Sequence, residues 1–82
     1  MPSAPVRLPP GDALVEALAT YRREAARRLG APPWRVLPNA TLLAIARERP
    51  RTRADLAGIP GLGPVRRRRH ARAILAIVAR RR

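Results

Sequence analysis

The chain contains no cysteine, no lysine and no phenylalanine. Without Cys there is neither a disulfide framework nor a thiolate metal site, and the redox compartment is unconstrained. Without Phe, and with one Trp and one Tyr, a sheet built on aromatic and β-branched residues is disfavoured. Acids are scarce: five Asp and Glu stand against 18 basic residues, all of them Arg. No apolar run approaches the ~20 residues of a membrane span. One His, without a cluster of partner ligands, makes no metal site. No Ser stands in a plausible triad and the carboxylates are scattered, so no catalytic constellation, metal or cofactor is expected.

What is present points to small, closely packed helices. The 82 residues include 10 Leu, 4 Ile, 5 Val and 16 Ala. That composition allows one domain with one modest core and suits helices better than strands. The net charge is +13, which gives a strong positive potential and a tendency to meet polyanions. All-Arg, Ala-rich and Pro-rich usage suggests a GC-rich genome. Whatever its origin, the guanidinium is a planar fork suited to phosphates and to stacking on bases. Residues 1–10, with four prolines, read as a flexible lead-in or linker, neither a signal peptide nor a helix.

The helical domain is expected over residues 11–79, with a basic tail at 80–82. Leu14, Leu18, Tyr21, Ala25 and Leu29 fall on one helical face, with Asp12 as N-cap and Gly30 as the stop. Arg23 and Arg27 lie on the outer face, with Arg22 and Arg28 flanking it. Pro32 to Pro38 reads as a loop with a short turn of 3₁₀ helix, because its prolines remove donors and restrict their neighbours. Val36 and Leu37 are expected to plug the core. Asn39 is the expected cap of a helix over Ala40 to Glu48, buried through Leu42, Ile45 and Ala46. Thr52 and Asp55 form a capping box that opens a short helix to Ala57, and Leu56 and Ile59 point inward.

Ile59-Pro60-Gly61-Leu62-Gly63-Pro64, followed at once by Arg66 to Arg69, is the most informative stretch. Gly61 and Gly63 free the backbone for a tight corner and a close approach. Pro64 is preset for the first turn of a helix, which is expected to run toward Arg80 with Ile74, Leu75, Ile77 and Val78 as its apolar stripe. Seven residues earlier, that stripe meets Arg67 and Arg68, a local conflict. The unpartnered amides of the first turn and the positive end of the dipole suit a phosphate. His70 reads as a helix-face residue whose protonation the neighbouring arginines disfavour. Trp34 is either a stacking platform for an unpaired base or an aromatic lid over the core. Arg35, Arg51 and Arg53 are placed to ring it.

The ordered motifs resemble the HRDC domain, a small helical module at the C-terminal side of RecQ-type helicases, some UvrD-type helicases and ribonuclease D. The resemblance runs from Asp12 to Val78. It rests on Leu14, Leu18, Tyr21 and Arg22; on Pro32-Pro33-Trp34-Arg35-Val36-Leu37; on Asn39-Ala40-Thr41-Leu42; on Pro50-Arg51-Thr52; and on Leu56 with Ile59 to Pro64. The chain departs from the family pattern after Pro64. Arg67 holds a usually apolar position, and the acids usual in the last helix are absent. The resemblance implies an auxiliary module that positions a helicase or nuclease on its substrate.

The expected fold is an all-α bundle of four to five short helices with a helix-hairpin-helix-like Pro-Gly-Leu-Gly turn. The expected function is a non-catalytic module binding single-stranded or junction-like DNA. Arg66 and Arg69, with the amides of Gly61 and Gly63, would contact phosphate. Arg23, Arg27, Arg35 and Arg51 would extend the basic surface, and Trp34 would stack. The alternative is a protein-interaction module docking on an acidic partner or on its parent enzyme. A third reading lays the last helix on an anionic membrane, but the bundle core needs that apolar stripe. A cytoplasmic monomer is expected, nucleoid-associated if bacterial.

Overall fold

The computed structural model describes residues 7–81. Helix α1 (Ala13–Leu29) starts where the Asp12 carboxylate accepts the amides of Leu14 and Val15, each at 3.0 Å. Two orphan donors of the first turn are thereby satisfied. Gly30, at φ 63°, closes the helix in the left-handed conformation. Leu14, Val15, Leu18, Ala25 and Ala26 are its buried face. Leu29, expected to continue that face, is instead 47% exposed.

Helix α2 (Pro33–Val36) is a single α-helical turn, where the sequence suggests a loop with 3₁₀ character. The Leu37 amide donates to the Pro33 carbonyl, four residues back, over 3.2 Å. Pro33 occupies the first helical position, whose N–H has no role inside a helix, so the proline permits the turn. Val36 and Leu37 are buried in the core as expected.

Helix α3 (Asn39–Glu48) corrects a second expectation. Asn39 is its first helical residue, and Pro38 holds the cap position without a side-chain bond. The Asn39 side-chain oxygen instead accepts from Nη1 of Arg22 at 2.7 Å, a charged donor arriving from α1. Thr52 and Asp55 form the expected capping box of α4 (Arg53–Ala57). Helix α5 (Pro64–Arg80) follows the turn.

Helix α1 packs against α2, α3 and α5, and α4 packs against α5. Leu18, Leu37, Leu42, Ile45, Leu56 and Ile74 are the largest fully buried side chains. Of the expected bundle residues, Leu14, Ile59 and the four in that set are buried, and Leu75 is half-buried. The architecture is the all-α bundle of short helices that the sequence suggests. Of the expected Pro-rich lead-in, residues 1–6 lie outside the described residues, and Leu8 packs half-buried against the core. Of the expected basic tail, Arg80 is helical and Arg82 lies outside the described residues.

Two details position the corner between α4 and α5. Gly61 adopts φ 82°, and a Cβ there would overlap the hydroxyl of Thr41 on α3. That hydroxyl donates to the Pro60 carbonyl at 2.9 Å, so the turn is bonded to α3 where only glycine fits. Gly63 has φ −71° and ψ 178°, extended backbone open to any residue, so the corner requires one glycine rather than the expected two. The conflict at Arg67 resolves locally. Its half-buried side chain curls back, and Nη1 donates to the Leu62 carbonyl at 3.1 Å.

Replacing Gly61 with Ala is expected to destabilise the domain by more than about 1 kcal/mol from the left-handed backbone alone, with the Thr41 overlap adding to it. A Thr41→Ala partner change should restore part of the loss in thermal melts. Ile45→Ala should cost about 2–5 kcal/mol, read as a fall in the denaturant midpoint.

Candidate functional site

The end of α1, the one-turn α2 and the first turns of α5 enclose an open cleft of about 590 Å³. Leu29, Val36 and Val65 supply its apolar lining, and Arg35, Arg66 and Arg69 its basic lining. Gly63 and His70 also line it, and no carboxylate does. Nothing lies within 4 Å of a Cβ built on Gly63, so the backbone at the start of α5 is open to approach. Leu29, Trp34 and Val65 are the exposed large hydrophobics, at 47%, 60% and 57%. Two of them line this cleft, and the third, Trp34, lies on α2 outside it.

Arg66 organises the site from beneath. Its Nε and Nη2 both donate to the Arg35 carbonyl at 3.1 Å, and its Nη1 donates to the Gly61 carbonyl at 3.0 Å. The guanidinium thus ties α2 to the corner before α5. The fork has five N–H groups, so these bonds leave donors for an anion. On the other flank, Nη1 of Arg22 donates to the Leu37 carbonyl at 2.8 Å. Two arginines thus hold the carboxy-terminal half of α2, which presents Trp34 outward with the Arg35 guanidinium carbon 5.6 Å from the ring centroid. That is cation–π range. The indole is not folded over the core.

His70 corrects the helix-face expectation. It is 4% exposed, and its Nδ1 lies 2.6 Å from the Tyr21 hydroxyl. The rings meet edge to face with centroids 5.7 Å apart. Burial, more than the neighbouring Arg69, Arg28 and Arg66, holds the His70 pKa below its ordinary value. Burial also raises the Tyr21 pKa, opposed by the positive charge of Arg28.

The sequence-derived site residues divide. Arg35, Gly63, Arg66 and Arg69 come together at the cleft. Trp34 lies on the far side of α2, in a shallower depression of about 520 Å³ shared with Arg22, Pro33, Pro38, Asn39 and Ala40. Arg51 and Arg53 do not ring it. Arg51 is exposed and gives its amide to Asp55 at 2.9 Å, and Arg53 lines a separate depression with Pro64, Arg67, Arg68 and Ala71. Gly61 faces α3. Arg23 and Arg27 are exposed on α1, outside the cleft. Sequence reasoning missed Leu29, Val65 and the Tyr21–His70 pair. A His in an otherwise basic run, four residues before the buried Ile74, carried the signal for inward placement.

The HRDC domain profile matches residues 11–78. The chain belongs to the HRDC domain family. Among solved structures, it is similar to HRDC domain 3 of D. radiodurans RecQ, with 42% identity and a TM-score of 0.80; the match covers 82% of this chain and 88% of that one. No curated protein matches significantly. HRDC is an accessory domain of helicases, and this HRDC domain is an auxiliary module by the same kinship. No described helix is long and apolar enough to cross a membrane. No group of three or more potential metal ligands occurs among the described residues.

The His70 shift sets a pH dependence. The native state binds the imidazole proton less readily than the unfolded chain. This stabilising contribution is therefore complete above the unfolded pKa of about 6.5 and is lost as pH falls through the lowered native value. The melting midpoint is expected to drop between about pH 7 and pH 5, and the drop should shrink in His70→Gln. Tyr21→Phe leaves Nδ1 without its partner and should cost about 1–3 kcal/mol at neutral pH.

Proposed function

We propose that this HRDC domain is a non-catalytic nucleic-acid-binding module that engages single-stranded or junction-like DNA for a helicase or nuclease core. One observation carries the reading: exposed Trp34 and Arg35 stand side by side on α2, and Arg35 leads into a cleft with Arg66, Arg69 and no carboxylate. Aromatic faces that stack bases beside a groove that tracks phosphates are the physical parts of single-strand recognition. The open backbone at Gly63 and the amino-terminal turn of α5 add donors where a phosphate would lie. The net charge of +13 supplies the long-range attraction. Arg23, Arg27 and Arg51 extend the positive surface beyond the cleft.

The lone Trp allows a direct test. Single-stranded oligonucleotides should quench Trp34 fluorescence, and duplex should do so less. For contacts to about five phosphates, affinity should fall with a log–log salt slope of about −3.5 to −4.5. Trp34→Ala should weaken single-strand binding by about 1–3 kcal/mol per stacked base and leave the salt slope unchanged. A slope near zero, or no binding at low salt together with capture of an acidic protein, would replace this reading with a protein-docking one.

A further inference from the structure

Phosphate attraction alone explains neither why the cleft is floored with aliphatic side chains nor why two of them remain exposed. Leu29 and Val65 come from helices far apart in sequence. They are 47% and 57% exposed, yet they line one cavity together with the buried Val36. A surface made only to hold a charged backbone needs no such floor, because apolar area in water is a cost that burial beneath a ligand recovers. The cavity volume, about 590 Å³, falls within the roughly 300–1,000 Å³ of small-ligand pockets.

The polar groups of the cleft have a matching order. Arg35 and Arg69 are its basic rim, while His70 lies at the buried end. His70 Nδ1 is occupied by Tyr21. Among the described residues Nε2 has no protein hydrogen-bond partner, and the imidazole lines the cleft. The cleft thus offers apolar side chains, a buried imidazole and exposed guanidinium groups. An unpaired nucleotide has the complementary order: a flat apolar ring, polar atoms on its edge and a phosphate outside.

We infer that this cleft holds one unstacked base of a single strand, seated on Leu29, Val36 and Val65, with its edge toward Nε2 of His70 and its phosphates on Arg35 and Arg69. The inference rests on the nucleic-acid reading and deepens it. Arg35 faces the cleft and also covers Trp34, so neighbouring nucleotides pass across α2, one on the indole and one in the cleft. Duplex DNA, with its bases paired and stacked, cannot enter. Discrimination against duplex then belongs to the aliphatic floor as well as to the tryptophan.

Abasic DNA separates the base from the phosphate. Binding of end-labelled oligothymidylate is compared by anisotropy with an abasic strand of equal length and charge. The comparison is made in the Trp34→Ala protein, which removes indole stacking. Oligothymidylate is expected to bind about tenfold more tightly, within the range of a single seated base. Adding Val65→Ser should remove most of that preference while abasic affinity, salt slope and melting midpoint stay unchanged. Leu29→Ser should act in the same direction. Equal affinity for the two strands in Trp34→Ala, or a preference that survives both serine changes, overturns the base-in-cleft inference and leaves the phosphate reading standing. Failure of every strand to bind the wild-type protein overturns both. Binding of an acidic, apolar-ended peptide that Val65→Ser abolishes, with no strand bound, would assign the cleft to a protein partner.

Discussion

The contact on which the site depends is the guanidinium-to-carbonyl bond. A single turn such as α2 has almost no helical stability of its own. It is fixed because Arg22 from α1 bonds its carboxy-terminal end and Arg66 from α5 bonds the Arg35 carbonyl. Arg67 treats the Leu62 carbonyl in the same way. A charged donor on a neutral acceptor makes a strong bond and neutralises nothing. The inward-turned arginines therefore hold the fold together without reducing the field that the outer ones produce. In a chain with five acids, carboxylate pairing could not have done the same work for so many cations.

The helices were legible where their signals are local. Asp12, Gly30 and the Thr52–Asp55 box each act on backbone groups within a few residues, and each stands where the sequence places it. The short α2 was not legible, because proline at the first helical position carries no penalty while proline elsewhere does. Asn39 is a good cap by type, but Arg22, 17 residues away, claims its oxygen. The Tyr21–His70 pair spans 49 residues and depends on how α1 and α5 pack. The candidate site was half visible. Arg35, Arg66 and Arg69 follow from charge and from the glycine turn, whereas Leu29 and Val65 look like core residues until packing leaves them outside.

Kinship and geometry contribute separately. Similarity to HRDC domain 3 of D. radiodurans RecQ fixes the bundle and the order of its elements. The arginines after Pro64 decide what the first turns of α5 present. An apolar residue at Arg67 would have packed downward. The arginine instead closes its own turn and shares a second depression with Arg53 and Arg68, so basic surface continues around α5 from the cleft.

Prolines bracket α2: Pro32 and Pro33 precede its tryptophan, and Pro38 follows Leu37. Each restricts the unfolded chain as much as the folded one, so the segment surrenders little freedom on becoming ordered. The prolines lower the entropy lost in fixing the Trp34–Arg35 edge. A ligand that binds there meets a pre-ordered edge, which reduces the ordering cost of association. Its capture rate is then governed by diffusion in the field of the arginines, and its residence time by how well it fits.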